Sequence, residues 1–481
     1  MNIFQTLRIL GALLVHLSGA LLIPIAFSLY FEDGAWLSFV YAAALTLTVG
    51  LVLFKGCRSK NTDLGIREGF AVVTLGWTFF ALFGSLPYLF SGAIPFPVDA
   101  LFETMSGFTT TGATILTSIE TLPPSILFWR AMTHWLGGMG IIVLSLAILP
   151  MLGVGGMQMF KAEVPGPTAD RLRPRIQDTA KLLWGVYVTL TAAETILLMF
   201  GGMSFFDSIC HAFATLATGG FSTRDASIGA YNSAYIDWVV TFFMFAAGVN
   251  FSLHFYALRG RIRGYFRNEE FRFYLSITVG AVALLMFLNH GSVYTSFLDN
   301  LRYSAFQAAS ILTTTGFGTA DYELWPVLGQ YILVTLMFVG GCAGSTGGGM
   351  KVVRIMMLFK YAHVQVFRLI HPRAVRLVKL GGNPVDREVV QAILGFFALF
   401  MGIFLVASFL MAAVGMDLIS AGASVIATLS NIGPGLGSVG PVDNYQHVPA
   451  LGKCILTFCM LMGRLELFTV LVLFFPSFWR R

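Results

Sequence analysis

Charge is what this 481-residue chain has least of: Asp, Glu, Lys and Arg make up only 11% of it. A soluble globular protein carries about twice that fraction, so a water-soluble fold is excluded. The five cysteines (Cys57, Cys210, Cys342, Cys454, Cys459) form no CxxC pair and show no His/Cys metal spacing. Their spacing points to neither a redox nor a metal site, and free, mostly buried thiols are expected. No Ser-His-Asp order, HExxH, Walker A motif or catalytic carboxylate pair is found, which argues against an enzyme and against direct use of ATP. What is abundant is apolar sequence: 56% hydrophobic, mean hydropathy +0.78. The apolar runs approach 20 residues without period-2 alternation, so they read as membrane helices rather than barrel strands.

Two spans, Ile9 to Tyr30 and Ala35 to Phe54, are joined by the polar turn Phe31-Glu32-Asp33-Gly34. The first is long enough to span and many spans follow it, so it reads as an uncleaved helix rather than a signal peptide. After residue 67 one unit recurs: span, half-span, Thr/Gly loop, span. The first has Phe70 to Phe90, Val98 to Thr109, a loop at Gly112 and Ile126 to Met151; the second has Leu182 to Gly202, Phe205 to Ala217, a loop at Gly219 and Ala234 to Leu258. The third has Phe273 to Leu288, Phe297 to Leu312, a loop at Gly316 and Val327 to about Phe359; the last has Val390 to Val414, Leu418 to Leu429, a loop at Gly433 and Cys454 to Phe475. The organisation expected is two N-terminal helices (1–67) and repeats over 68–160, 161–268, 269–380 and 381–481. The fold class is an all-α polytopic membrane protein of ten spans and four half-spans, with four membrane-helix/pore-loop/membrane-helix repeats around a central pore.

The net charge of +6 raises the question of a nucleic-acid partner. Its distribution answers it. With the N-terminus cytoplasmic, twenty-five Lys and Arg fall inside and only Arg130, Arg224, Arg302 and Lys453 outside, with Arg464 within the last span. That asymmetry is the positive-inside rule, and the basic residues read as determinants of topology rather than as a nucleic-acid surface. Both termini are then cytoplasmic, and every half-span enters and leaves from the outside. His134, His211 and Glu103 suggest a proton relay at first sight, but structural hydrogen-bonded roles account for them better.

Four aligned glycines, Gly112, Gly219, Gly316 and Gly433, recur at intervals of about a hundred residues within TTTGAT, ATGGFST, TTTGFG and NIGPGLG. Non-helical backbone survives at membrane depth only where it lines protein or water, and glycine lets a loop turn its carbonyls inward. Four such loops can replace the hydration shell of a cation. The four half-spans would also aim their negative C-terminal dipole ends at it.

Two further features lie in later spans. Gly340 to Gly349 reads GGCAGSTGGG; each glycine costs a helix interior about 1 kcal/mol against Ala, so this segment should unwind and line the path. Arg464, near the middle of the last span, is costly there. Either it pairs with a carboxylate, such as Glu466, or it faces a wet pore.

This arrangement resembles the Trk/Ktr/HKT superfamily of potassium transporters, most closely the TrkH/TrkG type, over essentially the whole chain. The four loop motifs carry the likeness, together with WLGGMGIIVL (Trp135 to Leu144), GGCAGSTGGGMKVVRI (Gly340 to Ile355) and GRLELFT (Gly463 to Thr469). The resemblance implies an ion-binding filter of Thr110, Thr111, Gly112, Thr218, Gly219, Thr314, Thr315, Gly316, Asn431, Ile432 and Gly433. Potassium would be bound at Thr111, Gly112, Thr218, Gly219, Thr315, Gly316, Ile432 and Gly433, with glycine at all four positions favouring potassium over sodium. It also implies a gate of Gly344, Ser345, Thr346, Gly347, Gly348 and Gly349, with Arg464 as a positive barrier in the pore. A TrkA-like cytosolic subunit binding ATP/ADP or NAD(H), a homodimer and a bacterial inner-membrane location follow from the same likeness. The basic segments Arg259 to Arg272 and Tyr361 to Arg387 could dock that subunit or face lipid. Potassium is the cargo and no organic cofactor is expected in this chain. An inside-negative potential of 100 mV supports roughly fiftyfold accumulation of a monovalent cation, so a gated uniporter suffices; potassium/proton or sodium symport on the same scaffold is the alternative.

Overall fold

The computed structural model describes residues 2–57, 65–147 and 175–479. Arg58, Lys60, Lys161, Arg171, Arg173, Arg480 and Arg481, and the end of the span expected to reach Met151, lie outside the described residues. The first helices are α1 (Ile3–Ala20), α2 (Ile23–Phe31), α3 (Trp36–Gly56), α4 (Ile66–Gly84), α5 (Leu86–Ser91), α6 (Pro97–Phe108) and α7 (Pro124–Ala147). Then come α8 (Arg175–Phe200), α9 (Phe205–Leu216), α10 (Ala234–Ala247), α11 (Phe251–Leu258), α12 (Arg263–Arg267), α13 (Glu269–Asn289) and α14 (Phe297–Leu312). The rest are α15 (Val327–Val339), α16 (Val352–Ile370), α17 (Arg387–Ala413), α18 (Leu418–Leu429), α19 (Ala450–Arg464), α20 (Phe468–Leu471) and α21 (Pro476–Trp479). Among the described residues the strands are one hairpin, Lys379–Leu380 against Asn383–Pro384. The chain is an all-α polytopic membrane protein.

Six stretches are long and apolar enough to cross a membrane unbroken: Ile3–Phe31, Trp36–Gly56, Ile66–Ser91, Thr179–Phe200, Glu269–Asn289 and Arg387–Ala413. Two spans expected to be continuous are instead broken, α10 and α11 meeting at 106° and α19 meeting the Phe468–Phe474 helix at 113°. The first break has a local cause. The Asn250 side chain accepts from the Ser252 amide at 2.8 Å and starts a new helix, while Gly248 lies where a Cβ would come within 2.8 Å of the Thr313 side chain. A hydropathy profile averages over both, since the residues around the break remain apolar.

The half-spans are α6, α9, α14 and α18, each buried along most of its length. Their starts are capped as short polar side chains cap helices. Ser204 Oγ accepts from the Asp207 amide at 3.0 Å, and Ser296 Oγ from the Asp299 amide at 3.4 Å. The Asp417 carboxylate accepts from the amides of Ile419 and Ser420, both at 3.2 Å; α6 opens on Pro97, which needs no amide partner.

The turn between the two N-terminal spans is tied to α7. Asp33 accepts from the Ser125 amide at 2.9 Å, from the Ala35 amide at 3.0 Å and from the Ser28 hydroxyl. Partial burial would raise the Asp33 pKa, but these hydrogen bonds outweigh it and hold the value below the ordinary carboxylate range. A depressed pKa stabilises the fold above the unfolded-state value near 4 and loses that contribution as pH falls through the folded value. Asp33→Asn should therefore lower stability by about 1 kcal/mol at neutral pH. Melting in detergent at a series of pH values checks this: the gap between wild type and variant should be constant above the unfolded-state value near 4 and narrow progressively as pH falls below it.

Candidate ion pathway

The four Thr/Gly loops share one backbone course. Each half-helix ends in a residue with positive φ: Thr110 (50°), Thr218 (54°), Thr314 (62°) and Asn431 (55°). The amide of the next residue turns back to the half-helix in every case, Thr111 to Ser106, Gly219 to Ala214, Thr315 to Ser310 and Ile432 to Ala427, all at 2.8 Å. A glycine with φ between 80° and 99° follows: Gly112, Gly220, Gly316 and Gly433. The second loop therefore aligns on Gly220, one residue beyond the Gly219 that the sequence alignment used. The tandem glycines conceal the register; Thr218 reveals it, since it matches Thr110 and Thr314 in backbone angle.

These glycines interlock around a closed ring. Gly112 faces the carbonyl oxygen of Gly219, Gly220 that of Thr315, Gly316 that of Ile432, and Gly433 that of Thr111. A Cβ at any of the four would approach that oxygen more closely than real Cβ atoms do, so positive φ and lack of space both require glycine there. Neighbouring loops are tied further out. Ile119 donates to Asp225 at 2.5 Å, Gly229 to the Gly318 carbonyl at 3.1 Å, and Tyr322 Oη to the Gly435 carbonyl at 2.7 Å. Between the fourth loop and the first, the Tyr445 amide donates to the Thr114 carbonyl at 2.8 Å and Asn431 Nδ2 to Thr111 Oγ1 at 2.9 Å. The fourth loop is the odd one: Ile432 stands where Thr111 and Thr315 stand, and its Gly433 carbonyl accepts from Tyr445 Oη at 2.7 Å.

All four basic residues counted on the loop side are paired. Arg130 Nε meets Glu103 at 2.6 Å and Lys453 Nζ meets Asp99 at 2.7 Å, both pairs largely buried. Arg302 bridges Asp299 and Asp237, at 3.1 and 3.5 Å, and Arg224 reaches Asp207 and Glu120, at 3.4 and 3.6 Å. Arg130 and Lys453 are therefore interior struts rather than loop charges. Of the three residues expected to have hydrogen-bonded roles, Glu103 and His211 do, His211 to the Asp207 carbonyl at 2.7 Å and to Ser222 Oγ at 2.9 Å. The ring nitrogens of His134 meet no partner at hydrogen-bond geometry among the described residues, and its ring is held by packing instead.

The glycine segment between α15 and α16 is unwound and lies against the ends of three half-helices. Thr346 Oγ1 donates to the Leu216 carbonyl at 2.9 Å, and the Gly348 amide donates to Thr314 Oγ1 at 2.6 Å. A Cβ at Gly347 would come within 3.0 Å of the Thr313 carbonyl, and one at Gly348 would overlap the Ser430 carbonyl. The segment is also anchored to the bend in the repeat-2 span, through Cys342 N to Gly248 O (2.8 Å) and Phe251 N to Gly344 O (3.0 Å). Lys351 Nζ donates to the Gly347 carbonyl. Arg464, 3% exposed, donates from Nη1 to the Thr346 carbonyl at 2.6 Å. Its Nε and Nη2 meet no protein hydrogen-bond partner among the described residues. Glu466, the carboxylate considered for it, pairs with Arg354 at 2.5 Å instead.

The structure thus brings the four loops together and sets Thr346, Gly347 and Gly348 of the glycine segment against the half-helix ends. It adds Gly220, Tyr445, Lys351 and the Glu103–Arg130 pair. Gly220 was legible from the Thr-anchored register. Lys351 and the Glu103–Arg130 pair are contacts within one repeat, and Tyr445 bonds to both its own loop and the first. All of them depend on how the chain packs, which hydropathy and motif spacing do not carry. Four helix–loop–helix repeats, closed by the Gly112–Gly220–Gly316–Gly433 ring, define a polytopic membrane protein built around a central pore. Residues 37–481 match the family described as TrkH, cation transport protein. The chain is 46% identical over 478 residues to the Trk system potassium uptake protein TrkH of Escherichia coli (strain K12), covering 98% of each. To the Trk system potassium uptake protein TrkG of the same strain it is 33% identical over 474 residues, covering 98% of this chain and 97% of that one. The crystal structure of the potassium transporter TrkH from Vibrio parahaemolyticus superposes with a TM-score of 0.92 at 40% identity, covering all of both chains. The chain belongs to the TrkH family of cation transport proteins.

Proposed function

We propose that this protein takes up potassium across the bacterial inner membrane, through a filter formed by the four-loop ring and driven by the membrane potential. The single observation that carries this reading is the closed ring, in which the residues preceding the four glycines present their carbonyls to the neighbouring loops. Carbonyl rings are how a dehydrated cation is held selectively, and the potassium-uptake relatives add the choice of ion. The ion-binding set is Thr111, Gly112, Gly219, Gly220, Thr315, Gly316, Ile432 and Gly433, with Thr110, Thr218, Thr314 and Asn431 setting the backbone.

Gly344 to Gly349 and Arg464 form the gate. The segment lies against the ends of the half-helices while hydrogen-bonded to a buried cation. A TrkA-like cytosolic subunit binding ATP/ADP or NAD(H) regulates it, in keeping with a Trk-system relative, and the chain works as a homodimer with both termini cytoplasmic. The test is cation uptake into proteoliposomes at an imposed inside-negative potential. Uptake that follows the potential alone, about tenfold per 59 mV at equilibrium, supports the uniport reading. A fixed proton stoichiometry transfers the assignment to potassium/proton symport.

A further inference from the structure

The second loop differs from the first and third in having a glycine, Gly219, where they have Thr111 and Thr315. Gly219 does not have the positive φ of the ring glycines, so its backbone alone does not require glycine. Space does. A Cβ there would fall on the imidazole of His134, with Nδ1, Cγ and Cε1 all well inside 3.0 Å. His134 comes from α7, in the preceding repeat, and is fully buried. Its ring therefore occupies the volume that a Thr side chain fills in the first and third loops, where Thr111 and Thr315 are each held by a neighbouring Thr hydroxyl at 2.8 Å.

The imidazole is itself clamped. It stacks on Phe221 with centroids 4.0 Å apart and planes at 11°, and the Arg130 guanidinium lies 3.6 Å from the centroid of the same ring. Two planar groups cannot both sit so close over one face, so Phe221 is held between them. Arg130, one helical turn before His134, also donates to the Ser222 carbonyl at 2.9 Å and to Glu103 at 2.6 Å. Glu103 in turn accepts from Thr114 Oγ1 at 2.9 Å and from the Ile115 amide at 3.0 Å. An unbroken chain of contacts thus runs from the first loop, through Glu103, Arg130, Phe221 and His134, to the side-chain face of Gly219, the residue whose carbonyl enters the ring.

We propose that His134 is a specificity-determining positioning residue, which replaces the side chain missing from the second loop and fixes the Gly219 carbonyl in the ring. This rests on the filter reading above. The filter holds one carbonyl from behind with a side chain of another repeat, so its discrimination between cations depends on α7 as well as on the loops. His134→Ala should leave total cation flux within about threefold of wild type but lower the potassium-over-sodium ratio about tenfold. Gly219→Ala alone should collide with the imidazole and lose potassium uptake. The double variant, in which the methyl group enters the vacated space, should recover most of the ratio, a non-additivity that independent sites do not show. His134→Leu fills the volume without the ring and should fall between wild type and His134→Ala.

Potassium and sodium fluxes into proteoliposomes, with the folded fraction checked by size exclusion, give every ratio. An unchanged ratio in both His134 variants, or a double variant no better than Gly219→Ala, overturns the assignment. If the wild type itself does not discriminate potassium from sodium, it is the filter reading that fails.

Discussion

Gly316→Ala should abolish selective potassium uptake while Gly318→Ala, two residues along the same motif, leaves it nearly intact. Gly316 has φ +82°, and an added Cβ would overlap the Ile432 carbonyl oxygen. The variant must either strain a left-handed backbone or push that carbonyl out of the ring. Strain of this kind costs of order 1–3 kcal/mol, and a misplaced ring oxygen withdraws a ligand from the cation. A loss of roughly a hundredfold in uptake follows. At Gly318 the nearest atom to an added Cβ is the Pro441 carbonyl oxygen at 3.9 Å, an ordinary contact. Flux in proteoliposomes, normalised to correctly folded protein, checks the pair. Equal loss at both positions would mean that the contact between Gly316 and the Ile432 carbonyl has no special role in uptake.

Arg464→Ala should act in the opposite direction and raise potassium flux, most clearly without a regulatory subunit. A unit charge that a passing cation approaches to about 5–6 Å would oppose it by roughly 3 kcal/mol at an effective dielectric near 20, so on the proposed barrier role a gain of about ten- to a hundredfold is expected. Part of that gain comes from the segment itself. Removing Arg464 also removes the hydrogen bond to the Thr346 carbonyl and frees the unwound backbone to move. Deleting Gly344 to Gly348 tests this second component, and should leave a leakier pathway. If the deleted protein folds and its flux falls, the gate assignment is wrong; unchanged flux in Arg464→Ala removes the charge barrier.

Much of this architecture was legible because membrane physics restricts it. Apolar runs of about 20 residues located the spans, and Thr/Gly motifs after apolar runs too short to span located the loops. The glycine-rich run of ten residues from Gly340 to Gly349 could not stay helical and does not. What escaped has physical reasons. The bend at Gly248–Asn250 lies within a largely apolar run, and the bend after Arg464 falls at Arg464 and Glu466, charged residues whose presence does not by itself give the direction of the chain. The pairings Arg130–Glu103 and Lys453–Asp99 link residues far apart in the chain, and the charge count treated both cations as loop markers. The one-residue register of the second loop turned on two adjacent glycines with different demands. Gly220 needs glycine for its backbone angle and Gly219 for the room that His134 takes. The sequence shows the pair but not the division of labour.

The most direct test is to locate the ion. Crystals of the protein grown in rubidium or thallium should show anomalous density on the ring axis, within coordinating distance of the carbonyl oxygens of Thr111, Gly219, Thr315 and Ile432. Density at another site, with the ring axis empty at saturating cation, would contradict the account.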